Sequence, residues 1–257
     1  MGAPMGRALH AAGMPVTGFD IRTDGDFGSL TMNFDPVTFS RDLEILFTVV
    51  RDEDQTEDLL FRAQSVLAHA PKLRTLVICS TLSPRYVTDL RPRLPAHINI
   101  IDAPMSGAQV AAEEARLTFI VGGDQVPVDE TMLFFSAMGE HVHVMGGPGT
   151  GMTAKVMNNL VAASSVVATR TALHWGRAAG VDPQRLLHVM HDSSGQTWFG
   201  SNFNHIEFAA DGYAEDNTIG VLAKDVACAA STKPEAQADP FTPALIEAIR
   251  NLEPFEP

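Results

Sequence analysis

The stretch that decides the fold is residues 146–159, GGPGTGMTAKVMNN, where one sequence pattern gives way to another. Before it, short runs rich in Val and Ile alternate with helix-like segments, which is typical of buried parallel strands connected by helices. After it, a stretch rich in Ala, Val, Met and Leu runs to about Ala179 and ends at Gly180, a helix stop signal. We therefore predict an α/β domain over residues 1–147 and an all-helical domain over residues 148–257.

The first half predicts a doubly wound α/β sheet of the Rossmann type, because strand and helix patterns alternate regularly along it. The predicted strands are residues 15–20, 45–50, 75–79, 99–101, 117–121 and 141–145. The predicted helices of this half are residues 56–68, 84–90 and 128–138. In the second half they are residues 152–179, 184–190, 220–230 and 243–251.

The composition excludes several classes of protein. The 257 residues carry 18 Lys and Arg against 31 Asp and Glu, a formal net charge of −13, so the basic face needed to bind nucleic acid is missing. No apolar run reaches the roughly 18 residues of a membrane span, and no secretory signal is visible. The two cysteines lie in apolar stretches, and no histidine stands at metal-ligand spacing. We expect a soluble, cytoplasmic protein with no metal, no nucleic-acid partner and no membrane association.

The N-terminus matches the end of a dinucleotide-binding fingerprint, in which a strand precedes Gly-x-Gly-x-x-Gly and a helix opens on the third glycine. Met1 and Gly2 would take its last two positions. Asp20 ends the next predicted strand, where a carboxylate accepts hydrogen bonds from the adenosine ribose and favours NAD, whereas nearby Arg22 could hold the 2′-phosphate of NADP. The alternatives are an ordinary N-terminal helix and an aspartate that caps a turn.

Two further loops follow predicted strands, at the edge where open sheets bind ligands. Thr81 lies in one of them, just before Ser83, which is a good helix N-cap. The other, residues 102–108, contains Ser106 and Gly107, whose hydroxyl and backbone N–H groups could hold a carboxylate. Each loop can also be explained as a cap or a turn.

Lys155 and Asn159 stand four residues apart, so they share one helical face, with Asn158 beside them. Burial in this apolar helix would lower the pKa of Lys155 and make it a usable proton donor or acceptor. Asn159 could orient a substrate hydroxyl or carbonyl. A surface lysine with an asparagine neighbour explains the spacing equally well. Lys224, in a later helical pattern, could reach a ligand or form a surface pair with the next residue.

Taken in order, these motifs resemble the β-hydroxyacid dehydrogenase family, whose members include 3-hydroxyisobutyrate dehydrogenase, tartronate semialdehyde reductase and, more distantly, 6-phosphogluconate dehydrogenase. The resemblance covers nearly the whole chain and is most specific at residues 102–107, 147–159 and 224–225. It implies oxidation of a 3-hydroxy acid, or reduction of the semialdehyde, by hydride transfer to or from NAD or NADP. NAD is slightly favoured by Asp20.

The resemblance also implies a role for each motif. Lys155 is the catalytic acid/base, and Asn159 is its partner at the substrate. The implied substrate-binding residues are Ser106, Gly107, Ala108, Asn158 and Lys224. The implied cofactor-binding residues are Met1, Gly2, Asp20, Arg22, Thr81 and Lys224. The partners expected are a small carboxylate substrate and further copies of the chain, as a dimer or tetramer.

The sequence departs from the family pattern in two places. Ala108, Ala111 and Ala115 stand where the family usually has glycine, and their methyl groups restrict the backbone of the substrate loop. The family also begins with a strand before the position of Met1 and runs past that of Pro257, so we expect that Met1 is an internal methionine of a longer parent protein. Two alternative hypotheses remain: a truncated member that keeps the fold but binds cofactor weakly or not at all, and a reductase that prefers NADPH.

Overall fold

The computed structural model describes residues 1–256, apart from the side chain of Ala108, and the chain divides into two compact units. The first unit is Met1–Lys155, and the second begins at Val156. The division lies inside a single helix, Thr150–Ala178, which starts in the first unit and continues in the second. The predicted boundary near residue 147 lies just before this helix.

The described residues of the first unit form a six-stranded sheet with helices, which is the Rossmann-type α/β arrangement that the sequence predicts. Its strands are β1 (Ile45–Thr48), β2 (Thr75–Ile78), β3 (Asn99–Asp102), β4 (Met105–Ser106), β5 (Leu117–Gly122) and β6 (Gly139–Gly146). Its helices are α1 (Gly2–Ala11), α2 (Pro36–Ser40), α3 (Glu53–Leu60), α4 (Val66–His69), α5 (Pro84–Leu90), α6 (Ala108–Glu113) and α7 (Gln125–Met138).

The sheet has the order β1-β2-β3-β5-β4, with β6 also paired to β5. β1, β2 and β3 are parallel and in register. β5 runs antiparallel to β3 and β4 and parallel to β6, so the prediction of parallel strands was wrong for the first two pairings. The chain passes from β4 to β5 through the short α6. Two parallel neighbours need a long crossover connection, so this short connection favours an antiparallel β5. β6 is largely exposed.

The core of the first unit lies on both faces of the sheet. All four residues of β2 are buried, with Leu76 and Ile78 in one apolar cluster and Val77 in the other. Burial on both faces explains why this strand is a continuous apolar run. Each fully buried side chain of this kind contributes roughly 1.5–3 kcal/mol. The sheet is therefore a rigid base for the loops at its carboxyl edge.

Residues 15–20 do not form the predicted strand. Gly18 makes one isolated bridge, to Met32, and the rest of the segment is irregular. A strand forms only when neighbouring strands satisfy its backbone N–H and C=O groups. The apolar pattern was present, but its pairing partner was not.

The predicted helix over residues 56–68 is two helices, α3 and α4. Asp52 caps α3 by accepting a hydrogen bond from the Gln55 N–H, so this helix starts earlier than predicted. Ser65 has a φ of 48°, a left-handed conformation that a right-handed helix cannot contain. α3 ends at Leu60, and the conformation of Ser65 keeps it from continuing into α4, which begins at Val66.

The described part of the second unit contains no strand, as predicted. Its helices are α8 (Thr150–Ala178), α9 (Pro183–His191), α10 (Trp198–Ser201), α11 (Thr218–Ala230) and α12 (Phe241–Arg250). Arg170, which is buried, donates hydrogen bonds to the backbone oxygens of Ala209 (2.7 Å) and Asp211 (2.9 Å) and also to that of Glu253. These bonds fix the C-terminal segment against α8. None of the described helices is long and apolar enough to cross a membrane.

Candidate active site

The loops that follow β1, β2 and β3 lie at one edge of the sheet, because parallel strands end on the same side. Ser80, in the loop after β2, connects that loop to the loop after β1. Its Oγ donates a hydrogen bond to the Val50 carbonyl oxygen (2.6 Å) and accepts one from the Val50 N–H (3.0 Å). Thr81, predicted to lie near the cofactor, is half-buried directly after this pair. Ser80 was not among the predicted site residues, because its role depends on a residue 30 positions away.

The start of α1 lies at the same edge. A Cβ placed on Gly2 would lie 3.5 Å from the Val49 Cβ, so the helix begins in contact with the loop after β1. The first turn carries no acidic residue. Burial lowers the pKa of the Met1 amine, and the charges of Arg22 and Arg7 lower it further, which places these cations near the helix start. The charge of Glu113 acts in the opposite direction on the same amine. A helix N-terminus with two arginines nearby fits the diphosphate of NAD or NADP.

Asp20 and Arg22 are paired with each other. The Arg22 side chain donates to both carboxylate oxygens of Asp20, at 3.2 and 3.1 Å, and the Arg22 N–H donates at 2.9 Å. Burial alone would raise the pKa of Asp20, but these bonds outweigh it and hold the pKa below its ordinary value. The carboxylate predicted to bind a ribose is thus engaged by the guanidinium predicted to bind a 2′-phosphate.

Ser106 and Gly107 lie where β4 meets α6. Ser106 is half-buried and pairs with Thr118 of β5. Gly107 has a φ of 131°, and a Cβ there would lie 2.5 Å from the Cβ of Ala111, so both conformation and space require glycine. The side chain of Ala108, the next predicted site residue, lies outside the described part of the structure. The turn leaves Gly107 exposed at the start of α6.

Asp102, at the end of β3, holds the start of α8. Its Oδ1 accepts a hydrogen bond from the Gly149 N–H (2.6 Å), and its Oδ2 accepts one from the Met152 N–H (2.5 Å). The side chain is fully buried, and burial raises its pKa to about 6 although the N–H bonds oppose the rise. We predicted Asp102 only as part of a loop. A charged residue that ends an apolar strand is the signal that could have found it.

Lys155 lies on α8, three residues after Met152. Its side chain is only 6% exposed, so the alternative of an exposed surface lysine is wrong. The buried position in an apolar helix is the one that we expected for a proton donor or acceptor. Asn159 follows one turn later on the same helix.

In the second unit, Asp225 contacts Asn159 and Lys224, two of the predicted site residues, and a third, Asn158, is bonded to Asn159. It is 3% exposed, and its Oδ2 accepts a hydrogen bond from the Asn159 Nδ2 (2.6 Å). The Lys224 Nζ lies 3.1 Å from its Oδ1, and the Asn158 Nδ2 donates to the Asn159 Oδ1 (3.1 Å). Lys224 also lines a cavity of about 250 Å³ beside Arg250. We had considered Asp225 only as the possible pair of Lys224, although an acid in an apolar helix was a signal.

The described residues contain no group of three or more His, Cys, Asp or Glu side chains that could hold a metal ion. In the first unit, the polar groups described above are the amine of Lys155, the hydroxyl of Ser106 and the backbone N–H groups at Gly107. In the second unit, they are the amides of Asn158 and Asn159 and the amine of Lys224 beside Asp225. Such groups bind an anion and move a proton.

Comparison with known protein families gives two matches that together span most of the chain. Residues 1–147 match the NAD binding domain of 6-phosphogluconate dehydrogenase. Residues 149–251 match the domain described as NAD-binding of NADP-dependent 3-hydroxyisobutyrate dehydrogenase.

Individual proteins agree with these matches. Mitochondrial 3-hydroxyisobutyrate dehydrogenase of Bos taurus is 28% identical over 241 residues, which cover 89% of this chain and 71% of the bovine protein. NAD-dependent L-serine dehydrogenase of Pseudomonas aeruginosa is 29% identical over 203 residues, covering 77% and 68%. Among solved structures, Mycobacterium tuberculosis 3-hydroxyisobutyrate dehydrogenase with L-serine has a TM-score of 0.80 at 22% identity, covering 98% of this chain and 92% of the other.

Proposed function

Because the chain belongs to the β-hydroxyacid dehydrogenase family of NAD(P)-dependent oxidoreductases that act on hydroxyl groups, we propose that it interconverts a small 3-hydroxy acid and its semialdehyde, with Lys155 as the general acid/base. The observation that carries this proposal is the burial of Lys155 on α8, one turn before Asn159.

The chain's own residues supply proton transfer and orientation. In the oxidation, the Lys155 amine takes the proton of the substrate hydroxyl, and in the reverse reaction its ammonium returns the proton to the carbonyl oxygen. Asn159 orients that oxygen through its side-chain amide, which Asp225 holds in turn. The nicotinamide cofactor, when bound, accepts or donates the hydride. The protein's contribution is thus position and charge.

The substrate class follows from the chemistry shared by the relatives. Hydroxyisobutyrate and serine, which appear in their names, are both small acids with a hydroxyl on the third carbon. For this chain we propose that Ser106, Gly107 and the segment at Ala108 bind the carboxylate, and that Asn158 and Lys224 complete the substrate site. The sharp turn at Gly107 supports the proposal, because it leaves the backbone open to an anion.

The cofactor-binding residues that we propose are Met1, Gly2, Asp20, Arg22 and Thr81, with Lys224 from the second unit. The arginine charges near the start of α1 support this assignment for Met1, Gly2 and Arg22. The contact between Gly2 and the loop after β1 supports it further.

The test compares Lys155→Ala with the parent and with Lys72→Ala, a control at an exposed lysine whose partner is Asp42. We expect Lys155→Ala to lose about 10²–10⁴-fold in kcat while its affinity for NAD, measured by calorimetry, stays at the parent value. Lys72→Ala should match the parent in both. A Lys155→Ala variant with parent turnover would overturn the proposed role.

The second candidate function is a non-catalytic chain that keeps the fold. The specific observation in its favour is that residues 15–20 lack strand pairing apart from the Gly18 bridge, so no sheet holds Asp20 in place. Calorimetric titration with NAD and with NADP separates the two candidates. Binding of either cofactor supports the dehydrogenase, and absence of binding to both supports the alternative.

We also propose that the chain forms a homo-oligomer through α8. Met157, Val161 and Trp175 are 36%, 71% and 70% exposed and share one face of this helix, so they form an exposed apolar stripe. Sedimentation equilibrium should show a dimer or tetramer that Trp175→Glu weakens. A parent chain that sediments as a monomer would contradict this.

A further inference from the structure

Asp102 holds the start of α8 through two backbone N–H groups, whereas an ordinary N-cap side chain accepts from one. Asp102 belongs to β3 and accepts from Gly149 and Met152, 47 and 50 residues further along the chain. Its two oxygens are used separately, one for each N–H. Because these N–H groups are three residues apart, the two bonds fix both the height of the first helical turn and its rotation about the axis.

Glycines bring this helix start against the sheet. A Cβ on Gly122 would lie 2.6 Å from the Asp102 Oδ1 and 2.6 Å from the Gly151 nitrogen, and a Cβ on Gly151 would lie 2.5 Å from the Ile120 oxygen. No side chain fits between β5 and the helix start. Gly122 and Gly151 are therefore required for the close approach of the two backbones.

A third contact joins the helix start to the loop after β2. The Leu82 N–H donates a hydrogen bond to the sulfur of Met152 at 3.3 Å, and Met152 is completely buried. Thr81 immediately precedes Leu82. The first turn of α8 thus contacts β3, β5 and the loop after β2, all within the first unit.

We infer that Asp102 is a positioning residue that sets the height and rotation of α8 and thereby the reach of the Lys155 amine. Lys155 stands three residues after Met152, so a shift of the first turn moves its amine by a similar amount. A displacement of about 1 Å at a reacting group can cost about 10²-fold in rate. This inference rests on the proposed role of Lys155, whereas the contacts of Asp102 do not.

The variant that tests it is Asp102→Asn, which keeps the shape of the side chain and one accepting oxygen. The other oxygen becomes an NH2 group, which cannot accept the hydrogen bond of the second backbone N–H. The matched control is Thr131→Val in α7, which removes a buried hydroxyl bonded to the Pro127 and Val128 oxygens, far along the chain from Lys155. Both variants should unfold at lower temperature. Only Asp102→Asn should lower kcat, by at least about tenfold, with the KM for NAD unchanged.

A second measurement reports on Lys155 without cofactor or substrate. The pH dependence of reductive methylation of the Lys155 amine, followed by peptide mass spectrometry, gives its pKa and accessibility. We expect Asp102→Asn to shift this profile and Thr131→Val to leave it at the parent position.

The outcomes separate the inference from the proposed function. The inference is overturned if Asp102→Asn keeps both the parent kcat and the parent methylation profile, or if Thr131→Val changes both to the same extent. If Lys155→Ala is fully active, the proposed function fails, and the methylation profile alone then decides whether Asp102 positions this side chain. If the chain does not turn over at all, the same profile decides.

Discussion

Ala115 has a backbone conformation that favours glycine. It follows α6 with a φ of 53°, a left-handed conformation, after the C-cap Glu114. The Arg116 N–H donates to the Ala111 oxygen (2.7 Å), and the Ala115 N–H lies 3.4 Å from the Ala112 oxygen. These two bonds are the pattern of a Schellman motif, in which glycine is favoured because it has no Cβ. We predict that Ala115→Gly stabilises the first unit.

The magnitude follows from two opposing effects. The left-handed conformation costs a residue with a Cβ on the order of 1–2 kcal/mol. Glycine loses more conformational freedom on folding, which reduces the gain by about 0.4–1 kcal/mol. The free energy of unfolding should therefore rise by about 0.5–1 kcal/mol, which raises the Tm of a unit of this size by about 1–4 °C.

The assay is differential scanning calorimetry of the parent and two variants. The control is Ala112→Gly, which removes the same methyl group from a helical, buried position in the same element. It should lower the free energy of unfolding by on the order of 1 kcal/mol or more, since glycine is a poor helix former and a buried methyl is lost. A Tm for Ala115→Gly at or below that of the parent would refute the reasoning.

Two further predictions concern cofactor choice and pH. Arg22→Ala frees both oxygens of Asp20 and removes a cation, so the ratio of the NADP to the NAD dissociation constant should rise about tenfold by calorimetry; an unchanged ratio would exclude Arg22 from cofactor choice. Glu57→Gln should lower the free energy of unfolding by about 1 kcal/mol at pH 7, because Glu57 accepts two hydrogen bonds from Arg93, at 2.6 and 2.7 Å. The pKa of Glu57 lies below its ordinary value of 4.5 mainly through these bonds, so the stabilisation is complete above that pH and is lost as the pH falls through the lower folded pKa. Urea unfolding from pH 7 to pH 3 should show the parent and Glu57→Gln converging, and a constant difference would contradict this.

The sequence predicted what depends on local pattern. The buried strands β1, β2, β3 and β5 and the long α8 follow from apolar periodicity and stop signals, and the two-part architecture was confirmed. The strand over residues 15–20 was wrong, because strand formation requires a partner that periodicity does not reveal. The helix over residues 56–68 was wrong at residues 61–65, which lie between α3 and α4 and end at the left-handed Ser65.

The predicted site was less complete than the predicted fold. The family resemblance was confirmed, and it was carried by motifs that are contiguous in sequence. Asp102 and Asp225 were not predicted as site residues, because each acts on groups far away in the chain, 47 and 66 residues for Gly149 and Asn159. Their signal, an acid within an apolar element, indicates a buried partner without identifying it. The roles of the individual site residues stay predictions.

The central claim is that the Lys155 amine moves the proton of the substrate hydroxyl. The most direct measurement is the single-turnover rate of hydride transfer in Lys155→Ala at saturating cofactor and substrate, with and without a small primary amine in solution. The account predicts a rate about 10²–10⁴-fold below the parent that added amine partly restores, more so for more basic amines. A parent rate without added amine would contradict the claim.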